Sequence, residues 1–164
     1  MDDIKTIVYT HTEHKNKPVK EKKKRIVASE KQWLHAIKDN DLLAENQCSL
    51  FHMKDKKQTI LHREIRRKID GYKRQDMAKN LWNEECFVDF PFVLNLLQEQ
   101  PNCFYCRKPV KLLYDISRDP EQWTLERIEN NQGHNKENVK VSCLSCNLSR
   151  RTMYHEKYRF TKQI

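Results

Sequence analysis

Two Cys-x-x-Cys pairs, Cys103/Cys106 and Cys143/Cys146, constrain this chain more than any other feature. Such pairs can bring four thiolates to one tetrahedral Zn²⁺. They are separated by 36 residues (143 − 106 − 1). That is longer than a compact zinc ribbon needs and leaves room for a hairpin and a long loop. A site with four protein ligands is closed, so the zinc it holds is structural and not catalytic. Two other readings stand beside this one: unrelated cysteine pairs in a reduced protein, and disulfides. Disulfides suit this chain less well. It is rich in Lys and opens on no secretory signal, which points to an intracellular compartment where thiols stay reduced.

The interval between the pairs and the residues after them point to the chemistry. Residues 124–128 have β-branched and apolar character around an acidic-basic pair, Glu126-Arg127, and read as a strand. Residues 130–138 are polar, include Gly133, and read as a loop. Residues 139–141 read as a second strand, after which Ser142 is placed to cap a helix beginning near Cys143. Cys143, Cys146, Asn147, Arg150 and Arg151 then recur at helical spacing. Zinc would therefore anchor the same helix that presents an amide and two arginines.

This segment resembles the ββα-metal fold of HNH endonucleases, in the version stapled by four cysteines. Leu125-Glu126-Arg127 falls where that family has Leu-Asp-His. Asn138-Val139 falls on the Asn that opens the second strand, and Cys146-Asn147 on the helical Cys-Asn step. The phrase from Thr124 to Asn130, followed by Gly133-His134-Asn135 and Glu137-Asn138-Val139, also resembles a viral and phage variant reading Leu-Asp-Arg-Ile-Asp-Asn and then Gly-His or Gly-Tyr. The resemblance covers about the last third of the chain. If viral, the protein would work in the host nucleus or cytoplasm.

Two departures from the family matter. Its metal-binding Asp is Glu126 here, one methylene longer and still a competent oxygen ligand for Mg²⁺. Its general-base His is Arg127, which stays protonated and cannot accept a proton from water. His134 is the obvious substitute, because imidazole titrates near neutrality. The resemblance thus implies Mg²⁺ or Mn²⁺ on Glu126 and Asn147, His134 as base, and Arg127 with Arg150 or Arg151 against the phosphate.

The rest of the chain frames the site. Of its 164 residues 34% are charged, and the formal net charge is +9, a surface suited to polyanions and most simply to nucleic acid. With two glycines and five prolines it favours helix over an all-β fold. No apolar run approaches the roughly 18 residues of a membrane span. Residues 1–28 read as a disordered basic tail, residues 29–100 as a helical region, and residues 101–164 as the zinc-stapled unit. Within the helical region Ser29 is an expected N-cap, with Trp33, Leu34 and Ile37 on one face. Residues 42–51 suggest a short helix. Leu61, Ile65, Ile69 and Tyr72 define a longer one that Gly71 would end or bend, with Arg63, Arg66, Arg67, Lys73 and Arg74 as a track for a phosphate backbone. Asp89 should cap a helix with Pro91 in its first turn, residues 110–114 should form a strand, and residues 153–164 a tail in which Tyr158 and Phe160 pack.

The expected fold class is α+β, a helical N-terminal part followed by a small treble-clef-like HNH unit. The expected function is an endonuclease or nickase acting on DNA with one divalent metal and a structural zinc. A homodimer is compatible with this. Two alternatives are a zinc-dependent nucleic-acid-binding module that has lost catalysis, and a protein-interaction adaptor.

Overall fold

The structure is a computed structural model and describes residues 21–163. The expected tail lies outside the described residues as far as residue 20, and its last part belongs to the fold. Lys24 bridges Ile116. Arg25 donates to the Tyr114 carbonyl at 2.7 Å and pairs with buried Glu64 at 2.5 Å. A 3₁₀ turn, Ile26–Ser29, then buries Val27 and Ala28. Arg25 is fixed because a buried carboxylate such as Glu64 needs a cation beside it.

Helix α1 (Lys31–Ala36) starts after Glu30 and not after Ser29. Trp33 and Ile37 are buried, whereas Leu34 is 58% exposed, so the expected three-residue face has two members. In place of a short helix over 42–51 there are two 3₁₀ segments, Asp39–Leu42 and Ala44–Phe51. They carry Gln47 into the core. Its amide oxygen accepts from the Leu112 and Leu113 N–H groups, and its amide nitrogen donates to the Leu113 carbonyl at 2.8 Å. Those bonds help explain why residues 110–114 are not a ladder strand: at residues 112 and 113 a side chain answers the backbone groups. Only an isolated bridge, Lys111 to Gln122, remains there.

Helix α2 (Lys56–Ala78) follows from the apolar repeat. Asp55 caps it by accepting from the Lys57 and Gln58 N–H groups. It runs through Gly71, which neither ends it nor meets a neighbour. Leu61 and Ile65 are wholly buried and Ile69 nearly so. Helix α3 (Phe90–Glu99) is capped as expected, with Asp89 accepting from Phe92 N–H at 2.8 Å and Pro91 in the first turn. Val93, Leu96 and Leu97 are its buried face.

Strands β1 (Trp123–Arg127) and β2 (Val139–Cys143) pair antiparallel, from Trp123 opposite Cys143 to Arg127 opposite Val139. Helix α4 (Leu144–Arg150) follows directly, and the expected C-terminal tail is instead helix α5 (His155–Gln163). Tyr158 is buried there and Phe160 is 69% exposed, so only the first of the two packs. One continuous core joins Ile65 and Leu97 to Tyr105, Trp123, Leu125 and Val141. The chain is therefore mixed helix with a small two-stranded sheet.

A two-stranded ribbon has two edges, and α2 covers the one on β1. Tyr72 Oη receives the Leu125 N–H at 3.0 Å, and Lys68 Nζ donates to the Trp123 carbonyl. Burial, followed by the nearby Arg25 charge, holds Lys68 well below the usual lysine range.

Candidate functional site

The four cysteines meet at the end of the hairpin. Cys103 and Cys106 lie on a tight turn closed by Arg107 N–H to the Cys103 carbonyl at 3.0 Å, and Phe104 N–H ties that turn to the Val141 carbonyl of β2 at 2.8 Å. Cys143 ends β2 and caps α4, its Sγ accepting from Cys146 N–H at 3.4 Å. The expected cap, Ser142, is instead turned inward, with its Oγ 3.0 Å from Thr124 Oγ1. The ligand atoms of all four cysteines lie within 4.8 Å of one another. Zn–S bonds of about 2.3 Å in a tetrahedron separate sulfurs by about 3.8 Å. The Cys106 and Cys143 sulfurs are 4.0 Å apart, so the group fits a zinc ion. A hydrogen bond with Cys143 lowers the Cys103 thiol to about 5, while burial pushes Cys146 up to about 11. A bound zinc ion would hold all four sulfurs as thiolates, since only a cation among them offsets so much negative charge at this distance. Cys48 and Cys86 are exposed and take no part.

Between α2, β1 and α4 lies a pocket of about 430 Å³. Glu126, Arg127, His134 and Asn147, the four expected catalytic residues, all line it. Their environments differ. Asn147 donates from Nδ2 to Thr124 Oγ1 at 3.2 Å, and its Oδ1 makes no hydrogen bond among the described residues. Arg127 is anchored to the carbonyls of Asn130 (3.3 Å) and Gln132 (3.1 Å). Asn138, the residue opening β2, clamps the same loop through the Glu129 and Gly133 carbonyls, both at 3.0 Å.

Glu126 is not a free carboxylate. It is buried, its Oε1 is ion-paired with Arg150 Nε, and Tyr105 Oη donates to the same oxygen at 3.4 Å. Burial pushes its pKa above the ordinary glutamate range, and Arg150 pulls it back. Arg150 is equally committed. It also donates to the carbonyls of Met153 (2.8 Å) and Arg127 (2.7 Å) and to Asn130 Oδ1 (2.9 Å). The expected role of Arg150 as a phosphate contact therefore gives way to a structural one. Arg151, just past α4 at φ 53°, is exposed at the pocket rim and keeps its guanidinium available.

His134 is buried, and sequence reasoning missed its partner. Asp76, with no exposed surface, sits 2.8 Å from His134 Nδ1 through Oδ1 and accepts the His134 backbone N–H at 2.6 Å through Oδ2. The signal was present: Asp76 is four residues beyond Tyr72 and continues the buried stripe of α2. The Tyr72 ring stacks on the imidazole at 4.4 Å between centroids. Burial lowers the His134 pKa below 6.5, with Asp76 opposing. The neutral imidazole is thus favoured in the fold, so its contribution to stability is full above the ordinary histidine pKa and falls as pH drops through the lowered one. Melting curves between pH 5 and 7.5 should show the wild type losing more stability on acidification than His134→Gln. Equal losses would place the titration elsewhere.

The arginines of α2 lie away from this pocket. At about 100° per residue, Arg63, Arg66, Arg67, Lys73 and Arg74 occupy the face opposite Tyr72, Gln75 and Lys79, which line it. Arg66 rests 3.7 Å from the Phe90 ring centroid, Lys73 lies over Trp82, and Arg67 pairs with Glu64 at 3.0 Å.

Compared with protein-family models, with curated proteins and with solved structures, the chain matches none of them.

Proposed function

We propose that this chain is a metal-dependent endonuclease or nickase of the HNH type that hydrolyses phosphodiesters in nucleic acid, DNA above all, with a structural zinc on Cys103, Cys106, Cys143 and Cys146. What carries the reading is the convergence of Glu126, Arg127, His134 and Asn147 on one pocket beside the four-cysteine cluster. Three segments of chain supply them. Lys79, Arg127, Arg150 and Arg151 line the same pocket against one carboxylate, Glu126, and that surplus of positive charge attracts a phosphate.

The donors left for Mg²⁺ or Mn²⁺ are Glu126 Oε2, with no hydrogen bond among the described residues, and Asn147 Oδ1. One carboxylate oxygen and one amide oxygen suit an ion that takes the rest of its shell from water and phosphate. When bound there, the ion would supply Lewis-acid polarisation of the phosphodiester. Arg127 and Arg151 would hold the phosphate through charge-assisted hydrogen bonds. His134 would accept the proton of the attacking water.

Plasmid nicking in Mg²⁺ or Mn²⁺ tests this. Asn147→Ala should lose at least about a hundredfold in rate, the upper end of what losing a residue that merely supports a metal ligand costs, while keeping its zinc and its fold. Equal rates in wild type and variant would remove Asn147 from the site. One observation favours a second reading, a binding module without catalysis: Glu126 is tied to Arg150, and Arg127 stands where the family has its base. In that case neither protein cuts, and both bind nucleic acid with steep salt dependence.

A further inference from the structure

We propose that Asp76 is the positioning residue for His134, fixing the imidazole so that Nε2 presents a lone pair to the pocket. This rests on the nuclease reading and assigns a part of the same site that lies on α2, outside the cysteine-stapled segment.

A carboxylate only accepts hydrogen bonds. Asp76 Oδ2 takes the backbone N–H of His134, and Oδ1 faces Nδ1. The proton of a neutral His134 therefore sits on Nδ1, and Nε2 is left as acceptor. Nε2 makes no hydrogen bond to any described residue, and the ring lines the pocket. Wholly structural histidines generally satisfy both ring nitrogens when buried. This one uses a single nitrogen and leaves the other toward the space where phosphate would lie.

The surroundings over-determine that pose. Tyr72 stacks on the ring. The His134 carbonyl accepts from Val88 N–H at 3.0 Å, and the Gly133 carbonyl accepts from Asn138. The absence of a side chain at residue 133 permits the close approach, since a Cβ there would lie 2.8 Å from Asp76 Oδ2 and closer still to the Leu81 carbonyl. The charged groups facing the imidazole are Asp76 and Lys79 from the α2 end and Arg127 from β1. The first favours its charged form and the other two oppose it.

The experiment uses the full zinc-loaded chain and compares wild type with Asp76→Asn. In wild type, histidine ¹⁵N shifts should show the proton of His134 on Nδ1. In Asp76→Asn, kcat for plasmid nicking should fall by about 10²–10⁴-fold, the range for a lost or misoriented general base, with KM nearly unchanged. The acidic limb of its pH profile should move to lower pH, because the carboxylate that favoured the charged ring is gone; a general loss of stability would lower the rate without moving that limb. A folded Asp76→Asn that nicks at the wild-type rate overturns the assignment, and so does a wild-type proton on Nε2. If Asp76→Asn fails to fold, the wild-type ¹⁵N spectrum decides alone. A wild type that binds DNA and cuts nothing overturns the nuclease reading and this role with it, which is distinguishable from the loss of the Asp76 role alone.

Discussion

Cys143→Ser should empty the cysteine cluster and unfold the C-terminal third of the chain. Cys143 closes β2 opposite Trp123, caps α4 through its sulfur, and supplies one corner of the cluster. Ser keeps a capping oxygen and loses the thiolate. Structural zinc contributes an apparent binding free energy of about 10–16 kcal/mol in isolated finger peptides near neutral pH. The shared core with α2 and α3 would retain part of the fold, so unfolding should be local. Metal analysis should fall from one zinc per chain to none, and amide dispersion should collapse for residues 103–150 while α2 keeps its exchange protection. A metal-free variant that melts with the wild type would show that the cluster holds no structural ion.

The second large effect lies at Arg150. Arg150→Ala leaves Glu126 buried and unpaired and strips hydrogen bonds from the carbonyls of Arg127 and Met153. Breaking one side of a buried pair costs about 3–5 kcal/mol, because the remaining charge loses its cation while staying largely desolvated. Urea unfolding should register that loss. The double variant Arg150→Met with Glu126→Gln should recover much of it, since the desolvated charge is removed from both sides. A loss below about 1 kcal/mol for Arg150→Ala would mean that water reaches Glu126 in solution. The same geometry bears on any assay of Glu126→Ala: activity and stability fall together there, so Asn147→Ala is the cleaner probe of catalysis.

The parts of this fold set by local chemistry were legible. The cysteine spacing located the metal-competent cluster, the apolar repeat located α2, and Asp89 with Pro91 located the start of α3. The β-branched runs located both strands to within two residues. Features set by long-range pairing were not legible. Residues 110–114 look like a strand until Gln47, more than sixty residues upstream, takes the backbone groups of Leu112 and Leu113. Glu126 looks like a free ligand until Arg150, 24 residues later, folds onto it. His134 looks like a loop histidine without a partner until Asp76, 58 residues earlier, meets its ring. Leu34 and Phe160 misled for a simpler reason: short helices expose apolar residues that a periodicity count assigns to the core.

The guarded edge of β1 has a consequence for how the chain is made. An uncovered strand edge is a template for pairing with another molecule, and the hazard peaks while folding is incomplete. Lys68, whose Nζ answers the Trp123 carbonyl, precedes that residue by 55 positions. Synthesis therefore delivers the guard before the edge it protects. On the ribosome β1 emerges with α2 already available, and the ribbon can dock against its own helix before it meets a neighbouring chain.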